Sequence, residues 1–180
     1  MKKITLYPGK LKHSNWLFVF FAVGFSFLFT SCGIYSFRDA SIDYTKYKTI
    51  KIGFIDNKAR YVNPQLSTKL TDKLQQKIAS STRLSRTNND DAHLQLSGSI
   101  TDYSVSTSAI TTTQAAANRL TVSVELAVRN NVENKTDNFT VTRNYDYSAN
   151  LSLQQAEASL MDEIIRTLTD EIFNHLFSNW

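Results

Sequence analysis

The sequence predicts an α+β fold: a mostly antiparallel four-stranded sheet with two helices packed on one face. Two observations carry this. Apolar residues recur at helical spacing in Leu66–Ile78 and again from Leu153 to the end of the chain, but at every second position in the stretches around Tyr47–Ile55, Leu94–Val105, Leu120–Val128 and Phe139–Tyr147. The order is strand, helix, several strands, helix. With no strand–helix alternation after the first unit, the later strands pair as hairpins and the helices share one side.

Each element has its own warrant. In the first strand Ile50, Ile52 and Phe54 fall on one face, with Lys48 and Lys51 mostly opposite, and Asp56–Val62 is a polar connection. Asn63 is a good N-cap and Pro64 suits the first helical position. Leu66, Leu70, Leu74 and Ile78 then form one apolar stripe, which Ser80-Ser81-Thr82 ends. After Arg83 the period becomes two: Leu94, Leu96 and Ile100 share a face, while Tyr103 and Val105 sit out of phase. One extra residue near Thr101-Asp102, a bulge, would bring them back. Ser104–Asn118 has no clear period and reads either as a long loop or as a ragged hairpin end.

The best strand follows, with Leu120, Val122, Val124, Leu126 and Val128 on one phase and Thr121, Ser123, Glu125 and Arg129 on the other. Asn130–Asn138 is turn chemistry. Phe139, Val141, Tyr145 and Tyr147 continue as an alternating strand, interrupted at Arg143. Ser152 with Gln155 fits a capping box, and the helix behind it keeps a wide apolar stripe to Trp180.

The N-terminal segment is of another kind. Lys2, Lys3, Lys10 and Lys12 precede an apolar run, Trp16–Phe29, that falls short of the roughly 20 residues a bilayer crossing needs. It has the proportions of a secretory h-region. It ends in Phe29-Thr30-Ser31-Cys32, which resembles a bacterial lipoprotein box, with cleavage before Cys32 and acyl chains on its thiol and freed amine. The alternative is ordinary signal cleavage that leaves one free thiol, an anomaly for an exported protein with an odd cysteine. The expected organisation is a signal peptide over 1–31, a lipidated tether over 32–46 and one α+β domain over 47–180. The start of the tether, Gly33-Ile34-Tyr35-Ser36-Phe37, is too apolar for a free linker and is expected to dock on the body.

The formal net charge of +4 suggests a nucleic-acid binder until the signal is set aside. All of the excess comes from the four lysines of that segment, so the mature chain is neutral and has no long-range field for nucleic acid. At roughly 150 residues it is one domain of ordinary size that needs no disulfide, and its one cysteine can form none internally.

No catalytic constellation stands out. His93 and His175 lack Cys, Asp or Glu partners at metal-ligand spacing, and the pairs Asp162/Glu163 and Asp170/Glu171 read as a solvated helix face. With five glycines in the chain there is no phosphate-cradling loop, and no nucleophile elbow or metal box appears. No enzyme activity, cofactor or metal is expected. Two sequons, at Asn134 and Asn138, read as turn composition. Arg143 has two readings: it snorkels at the sheet margin or stacks on a tyrosine, or it offers its guanidinium fork to a phosphate or a partner's carboxylate.

The segments Cys32-Gly-Ile-Tyr-Ser-Phe37, Val62-Asn-Pro-Gln-Leu-Ser67, Ser97-Gly-Ser-Ile-Thr-Asp-Tyr-Ser104, Asn118-Arg-Leu-Thr-Val122 and Asp170-Glu-Ile-Phe-Asn174 through Ser178-Asn-Trp180 resemble, in order along the mature chain, the LptE family of lipopolysaccharide-assembly lipoproteins in its Bacteroidetes form. The resemblance implies two helices against a four-stranded sheet. It also implies an outer-membrane lipoprotein, anchored on the periplasmic side, that plugs the lumen of an LptD β-barrel and helps it insert lipopolysaccharide into the outer leaflet. Only Cys32 carries over with a defined chemical role. Thr121, Ser123 and Arg129, from the polar phase of the best strand, and Arg143 are the candidate partner-binding residues. The competing readings are a lipoprotein chaperone or pilotin for another envelope complex and, third, an envelope enzyme.

Overall fold

The structure, a computed structural model, describes residues 42–109 and 117–177. In chain order the elements are β1 (Thr49–Asn57), α1 (Leu66–Ser81), β2 (Ser85–Arg86), β3 (Leu94–Ala109), β4 (Ala117–Asn130), β5 (Lys135–Ser148) and α2 (Leu153–Phe177). They build one five-stranded sheet in the order β2-β1-β3-β4-β5. The α+β class holds, but the expected four-stranded, mostly antiparallel sheet is corrected to a five-stranded mixed one. β1 runs parallel to both β2 and β3, and only β3, β4 and β5 form an antiparallel meander. The cause is α1: a helix that returns the chain to the same sheet makes a crossover, and a crossover delivers parallel strands. β2 pairs through two residues, both exposed, too few to leave any periodicity.

The two helices pack on each other, α1 against β1 and α2 against β5, over one face. Leu66, Leu70 and Leu74 of α1 and Ile164, Leu168 and Ile172 of α2 are fully buried, as are Leu120, Val122 and Val124 of β4 beneath them. Burial of each such side chain contributes about 1.5–3 kcal/mol. The tail of the tether joins this core. Ile42 is buried, and Tyr47, 3% exposed, accepts a hydrogen bond from Asn130 and donates one to Glu133, both at 2.9 Å. The signal, Cys32, the start of the tether and Trp180 lie outside the described residues.

Two phase changes shape the sheet. In β3, Ile100 pairs with Val124 and Asp102 with Ser123, so Thr101 is the extra residue and Tyr103 returns to the buried side, as the pattern required. In β1 a register shift between Ile52 and Ile55 was not anticipated. It buries Ile55 and turns Phe54, expected on the core face, outward with 55% of its surface exposed. The stretch after Ser104 is a hairpin, β3 running on to Ala109 and β4 returning from Ala117. Val105 pairs with Leu120 there but stays exposed.

The helix ends differ. Ser152 and Gln155 form the reciprocal capping box, at 2.9 and 3.3 Å. Asn63 does not cap α1. Its side-chain Oδ1 accepts the Gln65 amide at 3.0 Å and makes a turn of Pro64-Gln65, and the helix starts at Leu66 without a side-chain cap of its own.

Candidate functional site

The face of the sheet away from the helices is the candidate site. Alternation puts Thr121, Ser123, Glu125, Ala127 and Arg129 of β4 there, between Ser97 and Ser99 of β3 and the polar phase of β5. The side chains are tied in rungs across β4 and β5. Thr121 donates to Asn144 at 2.9 Å, Ser123 and Thr142 share a hydrogen bond at 2.9 Å, and Arg119 grips Asp146 through two nitrogens at 2.7 and 2.9 Å. That two-pronged grip holds the Asp146 carboxyl below the usual carboxylate range. Cross-strand pairs of this kind order a surface that the core does not reach.

Small residues hollow the middle of this face. Ser97, Ser99 and Ala127 help to line a trough of about 490 Å³ beside Phe54, rimmed by Asp56, Lys58 and Glu125. A second trough of about 390 Å³ runs on past Gly53, Ala127, Gln95 and Arg129. Gly53 lies close to its neighbour strand, for a Cβ there would stand 3.2 Å from the Leu96 carbonyl oxygen. Phe54 is the large apolar side chain that the β1 shift places in these polar surroundings. Bulges commonly re-aim a side chain in this way.

Of the four predicted partner-binding residues, the fold brings together Thr121, Ser123 and Arg129. Arg143 lies on the opposite side. It stands across from Val122 on the helix side of β5, where its guanidinium is paired with Glu171 of α2. That contact explains the break in the apolar phase of β5. Of the two carboxylate pairs on α2, Glu171 thus holds Arg143, and Asp170 holds Lys77 of α1 at 3.1 Å. His93 shares a hydrogen bond with Thr49 at 2.6 Å, and His175 stacks on Phe139 with ring centroids 3.8 Å apart. No metal-holding group of His, Cys, Asp and Glu occurs among the described residues.

Sequence reasoning missed two buried polar nodes. Glu157, 7% exposed on α2, accepts hydrogen bonds from Tyr103 at 2.8 Å and Tyr61 at 3.4 Å, and the two tyrosine rings stack. Burial, then the carboxylate beside it, pushes the Tyr103 hydroxyl pKa well up. The signal was legible: Glu157 stands four residues before Met161, inside the apolar stripe, where a solvated carboxylate has no place. The second node is Asn130, which accepts the amides of Val132 and Glu133 and donates to Tyr47, closing the β4–β5 turn. The Lys46 ammonium, then the Tyr47 hydroxyl, hold the Glu133 carboxyl at about 2.

The sequence pattern of the LptE lipopolysaccharide-assembly family matches residues 47–176, the whole of this sheet-and-helix body. The chain belongs to the LptE family. That places it in a family of outer-membrane lipoproteins whose work is lipopolysaccharide assembly rather than catalysis. No curated protein matches the chain in sequence. Among solved structures it is similar to a neuraminyllactose-binding hemagglutinin homolog from Helicobacter pylori, at 10% identity over 73% of this chain and 83% of that one, with a TM-score of 0.54. It also matches a hypothetical protein from Chlamydia trachomatis, at 10% identity over 74% and 99% of the two chains, with a TM-score of 0.47. At 10% identity the likeness to the Helicobacter pylori structure is one of fold alone. No helix among the described residues is long and apolar enough to cross a membrane.

Proposed function

We propose that this chain is the lipid-anchored subunit of a lipopolysaccharide translocon. In this reading Cys32 carries acyl chains and tethers the protein to the periplasmic side of the outer membrane. The α+β body sits in the lumen of an LptD-type β-barrel and supports it during insertion of lipopolysaccharide into the outer leaflet, with no catalytic role. Three acyl chains exceed the two signals that stable anchoring needs.

The observation that carries the reading is the open face of the sheet: polar, ordered by its own rungs, hollowed by small residues and, among the described residues, free of helix cover. A barrel lumen is polar and wet, and it suits a surface that makes many modest contacts with trapped water. A neutral body adds no field that would repel either the lumen or its anionic cargo. The test is recovery of the tagged protein from solubilised envelope: a large outer-membrane barrel should come with it in equal amount. Recovery with a different envelope complex and no barrel would instead establish the chaperone or pilotin reading.

A further inference from the structure

The two edges of the sheet are treated differently. At one edge β2 covers Thr49 and Ile50 of β1, the register shift after Ile52 breaks the line, and the Ile55 amide donates to the Thr71 hydroxyl of α1 at 3.1 Å. That edge is blunted by a short strand, a bulge and a helix hydroxyl, three devices that discourage strand addition. At the other edge β5 pairs with β4 without a shift from Ala117–Ser148 to Asn130–Lys135, and among the described residues no strand lies on its outer side. A regular strand this long presents a row of outward amides and carbonyls to whatever can pair with them.

A wall stands beside that row. α2 runs alongside β5, held by the Arg143–Glu171 pair, by a shared Tyr145–Thr167 hydroxyl bond and by His175 on Phe139. Between strand and helix lies a cleft of about 440 Å³ lined by the carboxylates of Glu163, Asp170 and Glu171, which face two cations, the Arg143 guanidinium and the Lys77 ammonium. Asp170 and Glu171 hold partners from within the chain, whereas Glu163 makes no ion pair among the described residues. A strand edge flanked by a helix is a geometry that takes an extended peptide: the backbone supplies affinity and the wall selects side chains at alternate positions. Glu163 is the carboxylate left over, so the wall favours a cation beside it. It also argues against a second copy of this chain, because edge-to-edge pairing would bring two acidic helices alongside each other.

We propose that the outer edge of β5, with α2 as its wall, binds an extended polypeptide segment with Lys or Arg at alternate positions, by strand addition. This site is separate from the open sheet face and does not rest on the barrel reading. The test uses the full mature chain and a labelled nine-residue peptide of alternating lysine and threonine. Controls are the glutamate–threonine counterpart and the lysine peptide with a central proline. The lysine peptide should bind and slow hydrogen exchange at alternate amides of Thr136–Asp146, leaving the β1 edge unchanged. The proline peptide should bind about tenfold more weakly because it loses ladder hydrogen bonds. Glu163→Lys, a change at an exposed position, should weaken the lysine peptide about fivefold. Equal binding of the lysine and proline peptides, binding of the glutamate peptide at least as tight, unchanged exchange along β5, or self-association that protects β5 without peptide would each overturn the proposal.

Discussion

The two faces of the sheet are made by the same strands, residue by residue in alternation, yet they answer to different demands. On the helix side of β4, Leu120, Val122 and Val124 are fully buried under two helices, and each is fixed by what it touches. One residue along, Thr121 and Ser123 are tied only to the neighbouring strand and keep contact with solvent. The first face determines whether the protein folds. The second is tied across strands by bonds that each contribute little, so changes there should cost the fold far less than changes in the core.

That contrast can be broken most severely from the core side. Leu168→Ala, at a fully buried position of α2, should cost about 2–5 kcal/mol and lower the melting temperature by roughly 5–20 degrees. A loss well under 1 kcal/mol in chemical denaturation would mean that α2 is not core. Gly98→Ala should follow at about 1–3 kcal/mol, for its Cβ would stand 2.8 Å from the Glu125 carbonyl oxygen, which is backbone and cannot swing aside.

Tyr103→Phe should cost a similar or smaller amount, about 1–3 kcal/mol, by leaving Glu157 with only its longer bond to Tyr61. Tyr103 also sets an alkaline limit. Its pKa is raised in the folded state, so its contribution is complete below the unfolded value near 10 and drains away as pH rises beyond it. Thermal melts from pH 9 to 11 should show a decline that Tyr103→Phe lessens. The Glu133 carboxyl has the opposite sign: depressed to about 2, its contribution is complete above pH 4.5 and is lost as pH falls from there towards 2. Glu133→Gln should flatten that acid limb by lowering the neutral melting temperature towards its acid value. Smallest of all, Ser123→Ala on the open face should fall within about 0.5 kcal/mol of the parent, and a larger loss would show that the rungs help to hold the fold.

How far the sequence could be read follows from where alternation is clean. β4 alternates without a fault over its buried stretch, so both of its faces were legible, and the three candidates on its polar phase do share a surface. The β3 bulge was legible too, because Tyr103 and Val105 were out of phase with Ile100. The β1 shift was not: Ile50, Ile52, Phe54 already read as an unbroken apolar phase, and only Ile55, an apolar residue on the wrong count, hinted that Phe54 turns outward. β2 left no trace because two residues have no period. Arg143 was visible as an exception, but its partner Glu171 is 28 positions away, and pairing across that distance depends on how α2 lies on β5. Phe54 is the lesson for the site, since its place on the open face comes from register rather than from pattern.

In a barrel-seated subunit the open face meets the barrel wall while the helix-side face stays shut. Photocrosslinking amino acids placed singly at Thr121, Val122, Ser123 and Val124, in cells, test it most directly. Positions 121 and 123 should capture a large outer-membrane barrel, and positions 122 and 124 should not. Capture from 122 and 124 with silence at 121 and 123 would contradict it.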